Sequence, residues 1–312
     1  MKILITGGAG FIGSNIADRY LEMGHQVVIV DNLITGQREN IPPSAKFYEM
    51  DITDENLRTV FEKERPDVVS HQAAQMDVRK SVADPIYDAT VNVLGSLNVL
   101  ENSVKSGVQK VIFASTGGAI YGEQDYFPAD ENHPLRPLSP YGITKLTTEK
   151  YLYFYQHTYG LKYTILRYAN VYGPRQNPHG EAGVVAIFTT RMLKGEQPII
   201  NGDGLQTRDY TYVGDVVKAN ELALTRGDNQ IYNVGTGVET DVNTLFRMLR
   251  DLTGANIQEV HGDAKPGEQR RSVLNNQKIR KELGWEPSVT LEEGLRRTVA
   301  YFREKYAGSG HN

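Results

Sequence analysis

Apolar residues along this chain fall into short continuous runs, separated by longer stretches in which they recur every three or four positions. The runs at 2–6, 26–30, 45–50, 67–71, 110–114 and 163–168 have the length of strands, and each contains two or more successive apolar residues. That pattern predicts strands buried on both faces. The intervening 12–23, 56–63, 87–106 and 141–159 carry helical periodicity. Strands separated by helices predict a doubly wound α/β fold, a Rossmann-type parallel sheet with helices on both sides.

After Asn170 the pattern loosens. Residues 171–175 and the polar, Gly- and Pro-containing stretch beyond them read as a loop leaving the sheet, followed by a helix at 184–194 and a short strand at 197–200. A helix from Val213 and a strand at 230–234 are expected to return to the sheet, and 241–253 opens a smaller helical region. Two intertwined domains follow: a larger one of 1–172 with 213–235, and a smaller C-terminal one of 173–212 and 236–312. Their cleft should lie at the carboxyl ends of the strands, where open α/β sheets bind ligands.

Composition narrows the partners. The 312 residues include 34 basic and 38 acidic ones, a net charge of -4 with no long run of either sign. Nothing in that balance suits nucleic acid or an anionic membrane surface. The chain has no cysteine, so it forms no disulfide, thiolate metal site or cysteine nucleophile, and no metal is expected. Its first apolar run is too short for a signal peptide, and no stretch approaches the length of a membrane span. A soluble, cytoplasmic protein is expected.

The first strand runs straight into Thr6-Gly-Gly-Ala-Gly-Phe-Ile-Gly13, with a helix behind it. Glycines at 7, 10 and 13 allow a tight turn, a close approach of pyrophosphate to backbone N–H groups and close helix–strand packing. Asp31 ends the second strand, where a carboxylate can bind the adenosine ribose diol. Asp31, Asn32 and Leu33 offer no cation for a 2'-phosphate, which favours NAD over NADP. Three further strand ends point to the same cleft: Asp51-Ile52, His71-Gln72-Ala73-Ala74-Gln75, and Ala114-Ser115-Thr116. Ala73 and Ala74 would let a dinucleotide lie against backbone, or would merely pack tightly. Ser115 and Thr116 could bind a substrate hydroxyl or cap the next segment, and Asn92 could tie a helix or support the nicotinamide end. Finally, Tyr141 and Lys145 lie four residues apart on a predicted helix, so an ammonium can sit beside a phenol and favour its ionised form.

Taken together, the glycine turn, Asp31-Asn32, the hydroxyls before Tyr121-Gly122, Tyr141-x-x-x-Lys145 and Arg167-Tyr-Ala-Asn-Val-Tyr-Gly-Pro174 resemble the extended short-chain dehydrogenase/reductases acting on nucleotide sugars. Within that group the chain is most similar to the UDP-glucose (UDP-galactose) 4-epimerases, from residue 1 to about 306. The resemblance implies an NAD-binding larger domain and a nucleotide-sugar-binding smaller one. It makes Tyr141 the general base for the sugar 4-hydroxyl, with Lys145 holding the nicotinamide ribose and Thr116 bridging to the 4-oxygen. For the cofactor it implies Gly7, Gly10, Phe11, Ile12 and Gly13 at the pyrophosphate turn, and Asp31, Asn32, Thr35, Gly36, Asp51 and Ile52 towards the adenosine. Gln72, Ala73, Ala74, Gln75, Asn92, Ser115 and Tyr168 complete that set. For the substrate it implies Asn170, Val184, Ile199, Asn201, Arg208, Lys265 and Glu268.

The departures from the family pattern also bear on activity. The loop after Thr116 is one residue longer than the commoner form, leaving Ser115 as a rival hydroxyl. Related 4,6-dehydratases and decarboxylases carry acids just after that threonine, where this chain has Gly117 and Gly118. Elimination needs an acid and a base beyond the tyrosine, so their absence favours hydride transfer alone. Lys265 and Glu268 stand where Arg and Asp are more usual, and Ser272 aligns approximately with a position that is bulky in some glucose-restricted epimerases. The resemblance thus implies reversible C4 epimerisation of a UDP-hexose through a transient 4-keto sugar, and a homodimer; the helices at 87–106 and 141–159 are the candidate seam, although a buried core face explains their apolar stripes equally well. Alternatives are a UDP-glucuronate 4-epimerase, a nucleotide-sugar dehydrogenase or reductase, and a non-enzymatic NAD-binding sensor. UDP-N-acetylhexosamine also remains open as substrate.

Overall fold

The computed structural model describes residues 1–179, 183–265 and 269–307. In chain order its strands are β1 (Lys2–Thr6), β2 (Gln26–Asp31), β3 (Lys46–Glu49), β4 (Val68–His71), β5 (Lys110–Thr116), β6 (Lys162–Tyr168) and β7 (Asn170–Tyr172). There follow β8 (Ile200–Asn201), β9 (Thr207–Arg208), β10 (Tyr210–Tyr212), β11 (Gln230–Val234), β12 (Thr240–Asp241), β13 (His261–Gly262) and β14 (Arg271–Ser272). The helices are α1 (Phe11–Glu22), α2 (Leu57–Glu64), α3 (Val78–Ala83), α4 (Pro85–Ala89), α5 (Ser96–Lys105), α6 (Pro140–Tyr159), α7 (Val184–Leu193), α8 (Val213–Ala223), α9 (Val242–Thr253), α10 (Gln277–Leu283) and α11 (Leu291–Ala307).

Seven parallel strands form the central sheet in the order β11-β6-β5-β4-β1-β2-β3. The predicted Rossmann-type sheet is therefore present, and β11 does return to it beside β6. The order reverses at β1, which pairs with β2 on one side and β4 on the other, so a crevice opens between the ends of β1 and β4. Both faces are covered. Ile3 and Ile5 pack with Ile16, Tyr20 and Trp285 on one face, while Leu4 packs with Val28, Phe61, Val99 and Leu152 on the other. Each such side chain, fully withdrawn from water, contributes about 1.5–3 kcal/mol.

The smaller lobe has its own core of Tyr172, Val185, Phe188, Leu245, Leu249 and Leu295. Here the reading of the pattern needs correction. The stretch expected to leave the sheet as a loop contains β7, which pairs in parallel with β10 through Asn170, Val171 and Tyr172. The strand expected at 197–200 begins only at Ile200; Gln197 instead bonds the carbonyls of Pro198 and Gln258. Strands of two or three residues are too short to show a period. In addition α10 and Trp285, expected in the smaller domain, pack on the larger one: Ile279, Leu283 and Trp285 join its core, and the Trp285 indole donates to the Asp215 carbonyl.

The predicted helix at 87–106 is interrupted. Asp84 caps α4, Thr90–Gly95 widens into a π turn, and α5 resumes at Ser96. Such turns occur mostly inside α-helices and frequently at functional sites. Asn92, within this one, is buried.

Candidate functional site

The glycine turn closes the end of β1. Gly7 has φ 71 and its N–H donates to the Val30 carbonyl; a Cβ there would lie 2.8 Å from Ala73 N. A Cβ on Gly13 would collide with the Gly7 carbonyl oxygen. These two glycines thus let α1 and the β4 end approach the same backbone. Gly10 caps α1 without any side-chain hydrogen bond, so Phe11 and Ile12 open a helix N-terminus that no side chain fills. Asp31 is buried and its carboxylate accepts from Ala9 N at 3.0 Å and Leu33 N at 2.9 Å, while burial pushes its pKa up. Four lone-pair sites minus these two bonds leave acceptor capacity for a diol. Gly36 lies against this carboxylate, whereas Thr35 is exposed.

Several predicted cofactor residues have their side chains occupied within the protein. Asn32 donates to Asp51 at 2.7 Å, and Thr53 donates to Asp51 through both N–H and hydroxyl. Ile52 is buried beneath Gly95. Gln72 accepts from the Tyr168 hydroxyl and donates to Ser70 and Asn220; Asn220 also donates to Tyr168. Gln75 donates to Asp77 O and Asp88, and Asn92 donates to Gln75 O, Asp88 and Thr144 while accepting from Gln75 N. Asn92 therefore ties a helix. Of the β4 end, Ala73 and Ala74 remain half-buried beside Gly7.

His71 fastens this end to the glycine turn. Its Nδ1 lies 2.6 Å from Thr6 Oγ1 and its Nε2 2.8 Å from Ser96 Oγ. Ser96 already donates to the Asn92 carbonyl at 2.6 Å, so the Nε2–H tautomer satisfies every partner. Burial first, then Lys145, pulls the imidazole down to about 3, and it is neutral at ordinary pH.

Tyr141 and Lys145 share a face of α6, as their spacing predicted. Ser139 caps the helix through Gly142 N, and Pro140 begins it. Lys145 is buried, donates to the Ala114 carbonyl at 2.8 Å and lies 4.9 Å from the Phe113 ring. Burial lowers its pKa to about 8, opposed by Asp88 and Glu149. Its Nζ is 5.8 Å from the Tyr141 ring centre. The expected lowering of the phenol's pKa is not what the geometry produces: burial, and then the charge of Asp88, push Tyr141 up. The ammonium is aimed at a backbone carbonyl instead of the phenol oxygen.

The hydroxyl rivals separate cleanly. Ser115 donates to the Glu149 carboxylate at 2.6 Å and is buried. Thr116, on the opposite face of β5, accepts from Ala119 N at 3.1 Å. A Cβ on Gly118 would lie 3.9 Å from Thr116 Oγ1 and 3.8 Å from Asn170 Oδ1, so threonine and asparagine border one open space. The first turn of α6 packs on the same loop: a Cβ on Gly142 would sit 2.8 Å from the Ala119 carbonyl oxygen. Thr116 and the residue after Tyr141 thus flank the same loop.

Sequence reasoning missed the buried groups behind these residues. Glu149 receives two hydrogen bonds from Arg167, at 2.9 and 2.6 Å, and Arg167 also donates to Tyr121. Tyr121 passes the chain to Asn233, which holds Ala129 O. The spacing of four from Lys145 to Glu149 was the available signal. Asp88, wholly buried, was missed as well.

Towards the smaller lobe, Asn170 lies on β7, Val184 opens α7 half-buried, and Asn201 sits on β8, where its carbonyl accepts from Gln206. Ile199 is 49% exposed. Arg208, half-buried on β9, donates to the Thr207 carbonyl, and Ser272 is its parallel partner on β14, buried. Lys265 is exposed, and Glu268 lies outside the described residues.

Residues 3–235 match the NAD dependent epimerase/dehydratase family. The UDP-glucose 4-epimerase of Mycolicibacterium smegmatis is 44% identical over 98% of this chain and 99% of its own. Among solved structures, UDP-glucose 4-epimerase with UDP-glucose from Thermotoga maritima is 54% identical, with a TM-score of 0.96 over 98% of this chain and 100% of that one. The Thermus thermophilus UDP-glucose 4-epimerase complex with NAD is 48% identical, with a TM-score of 0.92 over 97% and 99% of the two chains.

Proposed function

The chain belongs to the NAD dependent epimerase/dehydratase family, and on that premise we propose that it is an NAD-dependent UDP-hexose 4-epimerase, interconverting UDP-glucose and UDP-galactose. The observation that carries this reading is that Tyr141 and Lys145 share a face of α6, whose first turn packs at Gly142 on the loop that Thr116 holds through Ala119 N, beside Gly117 and Gly118.

The residues present suit NAD. Two glycine positions where a Cβ would collide with or crowd backbone form a cradle, an uncapped helix start faces it, and Asp31 keeps free acceptor capacity. Gly7, Gly10, Phe11, Ile12 and Gly13 would hold the pyrophosphate, Asp31 and Gly36 the adenosine ribose, and Lys145 the nicotinamide ribose. Bound NAD supplies a hydride acceptor and donor for the sugar C4.

The chain's own part is proton movement and positioning. Tyr141 takes the 4-hydroxyl proton as C4 is oxidised and returns it after the 4-keto sugar has turned its other face. Thr116 holds the 4-oxygen, and Asn170 borders the same space. Glycines at 117 and 118 leave no acid for elimination, consistent with a product that differs from substrate only at C4. Arg208 and Lys265 would neutralise the diphosphate, with Val184, Ile199 and Asn201 about the uridine. The proposed division is an NAD-binding domain of 1–172 with 213–235, joined by the α10 segment, and a nucleotide-sugar domain from the rest.

We also propose a homodimer. Ile86, Leu94, Ile143, Tyr153 and Phe154 are exposed large apolar residues on the helices at 85–105 and 140–159, and a self-complementary apolar face suits a two-fold interface. No described helix is long and apolar enough to cross a membrane, and the cytoplasm remains the proposed location.

Incubating the protein separately with UDP-galactose, UDP-glucose, UDP-N-acetylglucosamine and UDP-glucuronate, and separating the epimers, tests the substrate. The proposal expects fastest turnover with the first two; inertness of all four would overturn it.

A further inference from the structure

Asp88 has no role in the chemistry described so far, yet it is fully buried beside it. Its Oδ1 accepts from Gln75 Nε2 at 2.9 Å and Asn92 Nδ2 at 3.1 Å, and its Oδ2 accepts from Thr144 Oγ1 at 2.9 Å. All three donors are neutral. A buried carboxylate held only by neutral donors is costly to keep ionised unless a nearby positive charge balances it. The three donors belong to the loop after β4, to the π turn, and to the residue preceding Lys145, so the carboxylate is fixed relative to α6 from three sides.

The charged surroundings of the Tyr141–Lys145 pair are few. On α6 itself, Glu149 is paired with Arg167 of β6. On β4, His71 is neutral. On α3, Arg79 and Lys80 are exposed, Lys80 lying 4.5 Å over the Tyr87 ring, and Asp77 and Asp84 cap α3 and α4. Among the described residues, the buried charges outside any ion pair here are the Lys145 ammonium and the Asp88 carboxylate.

We infer that Asp88 is a positioning residue of this site: its buried carboxylate is the counter-charge that keeps Lys145 an ammonium, and the same charge sets how readily Tyr141 releases its proton. The inference rests on the proposed epimerase reading. Asp88 stabilises the charged form of Lys145 and opposes the charged form of Tyr141, in agreement with the directions in which it displaces both groups. It therefore holds the lysine charged at the expense of a less acidic phenol. Through Thr144, whose hydroxyl also lies 3.0 Å from the Tyr141 carbonyl, it fixes the helix turn that carries both.

The test is the pH dependence of kcat/KM for wild type and Asp88→Asn. The amide keeps an oxygen for Gln75 and Asn92, and its nitrogen can donate to Thr144, whose own proton then goes to the Tyr141 carbonyl. Removing the charge should move both limbs to lower pH by about one unit: the acid limb because the phenolate is no longer opposed, the alkaline limb because the ammonium loses support. Limbs that stay in place with a reduced plateau would make Asp88 merely structural and overturn the inference. Should Asp88→Asn not fold, Asp88→Glu retains the charge; the inference expects unshifted limbs with lower kcat, and displaced limbs would contradict it. A readout independent of turnover is the ultraviolet titration of the Tyr141 phenolate in NAD-loaded protein, taken as the difference from Tyr141→Phe, with and without Asp88→Asn. A downward shift supports the inference even if the wild type converts no UDP-hexose, an outcome that would sink only the epimerase reading.

Discussion

The Lys145 ammonium lies 5.8 Å from the centre of the Tyr141 ring, and its hydrogen bond goes to the Ala114 carbonyl. The two side chains share a helix face without being hydrogen-bonded partners. The phenol oxygen is thus not engaged by the lysine. Tyr141→Phe should lower turnover by about 10²–10⁴-fold, while the amount of NAD carried through purification, read from the nucleotide released on denaturation, stays at the wild-type level. Undiminished turnover would remove Tyr141 from the role of base.

The two glycines after Thr116 should respond differently to alanine. At Gly118 the new methyl would meet nothing nearer than 3.8 Å, so folding should be unaffected, yet the methyl occupies the space bordered by Thr116 and Asn170. KM for UDP-galactose should rise by about tenfold. At Gly117 the methyl collides with Leu274, and stability should fall by about 1–3 kcal/mol. Denaturant unfolding and steady-state kinetics on both variants distinguish a sugar-facing glycine from a packing glycine.

His71 predicts a pH dependence of stability. Its imidazole is pulled from 6.5 to about 3 in the fold, so between those values the unfolded chain binds a proton that the native protein refuses. Stability contributed by this residue is complete above about pH 6.5 and is lost as pH falls, at about 1.4 kcal/mol per pH unit. In His71→Gln the urea midpoint should be lower at pH 7 and should fall less steeply between pH 6.5 and 5. Parallel slopes for the two proteins would show that His71 protonates in the native state.

The homodimer is tested at its proposed seam. Leu94 is 59% exposed and Phe154 47% exposed, on neighbouring helices. Leu94→Glu with Phe154→Glu should convert a dimer into a monomer by light scattering without altering the circular dichroism of the subunit. A wild-type monomer would dispose of the seam altogether.

What was legible in the sequence follows from which physical signals are local. Strands β1, β2 and β4 to β6 show in the chain because runs of successive apolar residues bounded by glycine or polar residues have few other uses, whereas the edge strand β3, half exposed, mixes Lys and Glu with Phe and Tyr; Tyr141 and Lys145 show because four residues make one helical turn. Asp31 was legible from its place at the end of β2. Ser115 and Gln75 were expected at the cofactor, and Asn92 either there or tying a helix; in the fold their side chains bond Glu149, Asp88 and Thr144. Residue type identifies a donor but not the face on which it emerges. Asp88 and Arg167 acquire meaning mostly from partners more than a dozen residues away. The short strands β7 to β10 are likewise fixed by tertiary pairing.

The central claim is that this chain moves a hydride out of a UDP-hexose and back, with NAD held throughout. The most direct measurement is incubation of the purified protein with UDP-galactose and no added NAD, following the anomeric signals by proton NMR and NADH by absorbance. The account predicts an equilibrium mixture of UDP-galactose and UDP-glucose formed over many turnovers without net NADH. NADH accumulating in proportion to enzyme with no epimer, or UDP-galactose left unchanged, would contradict it.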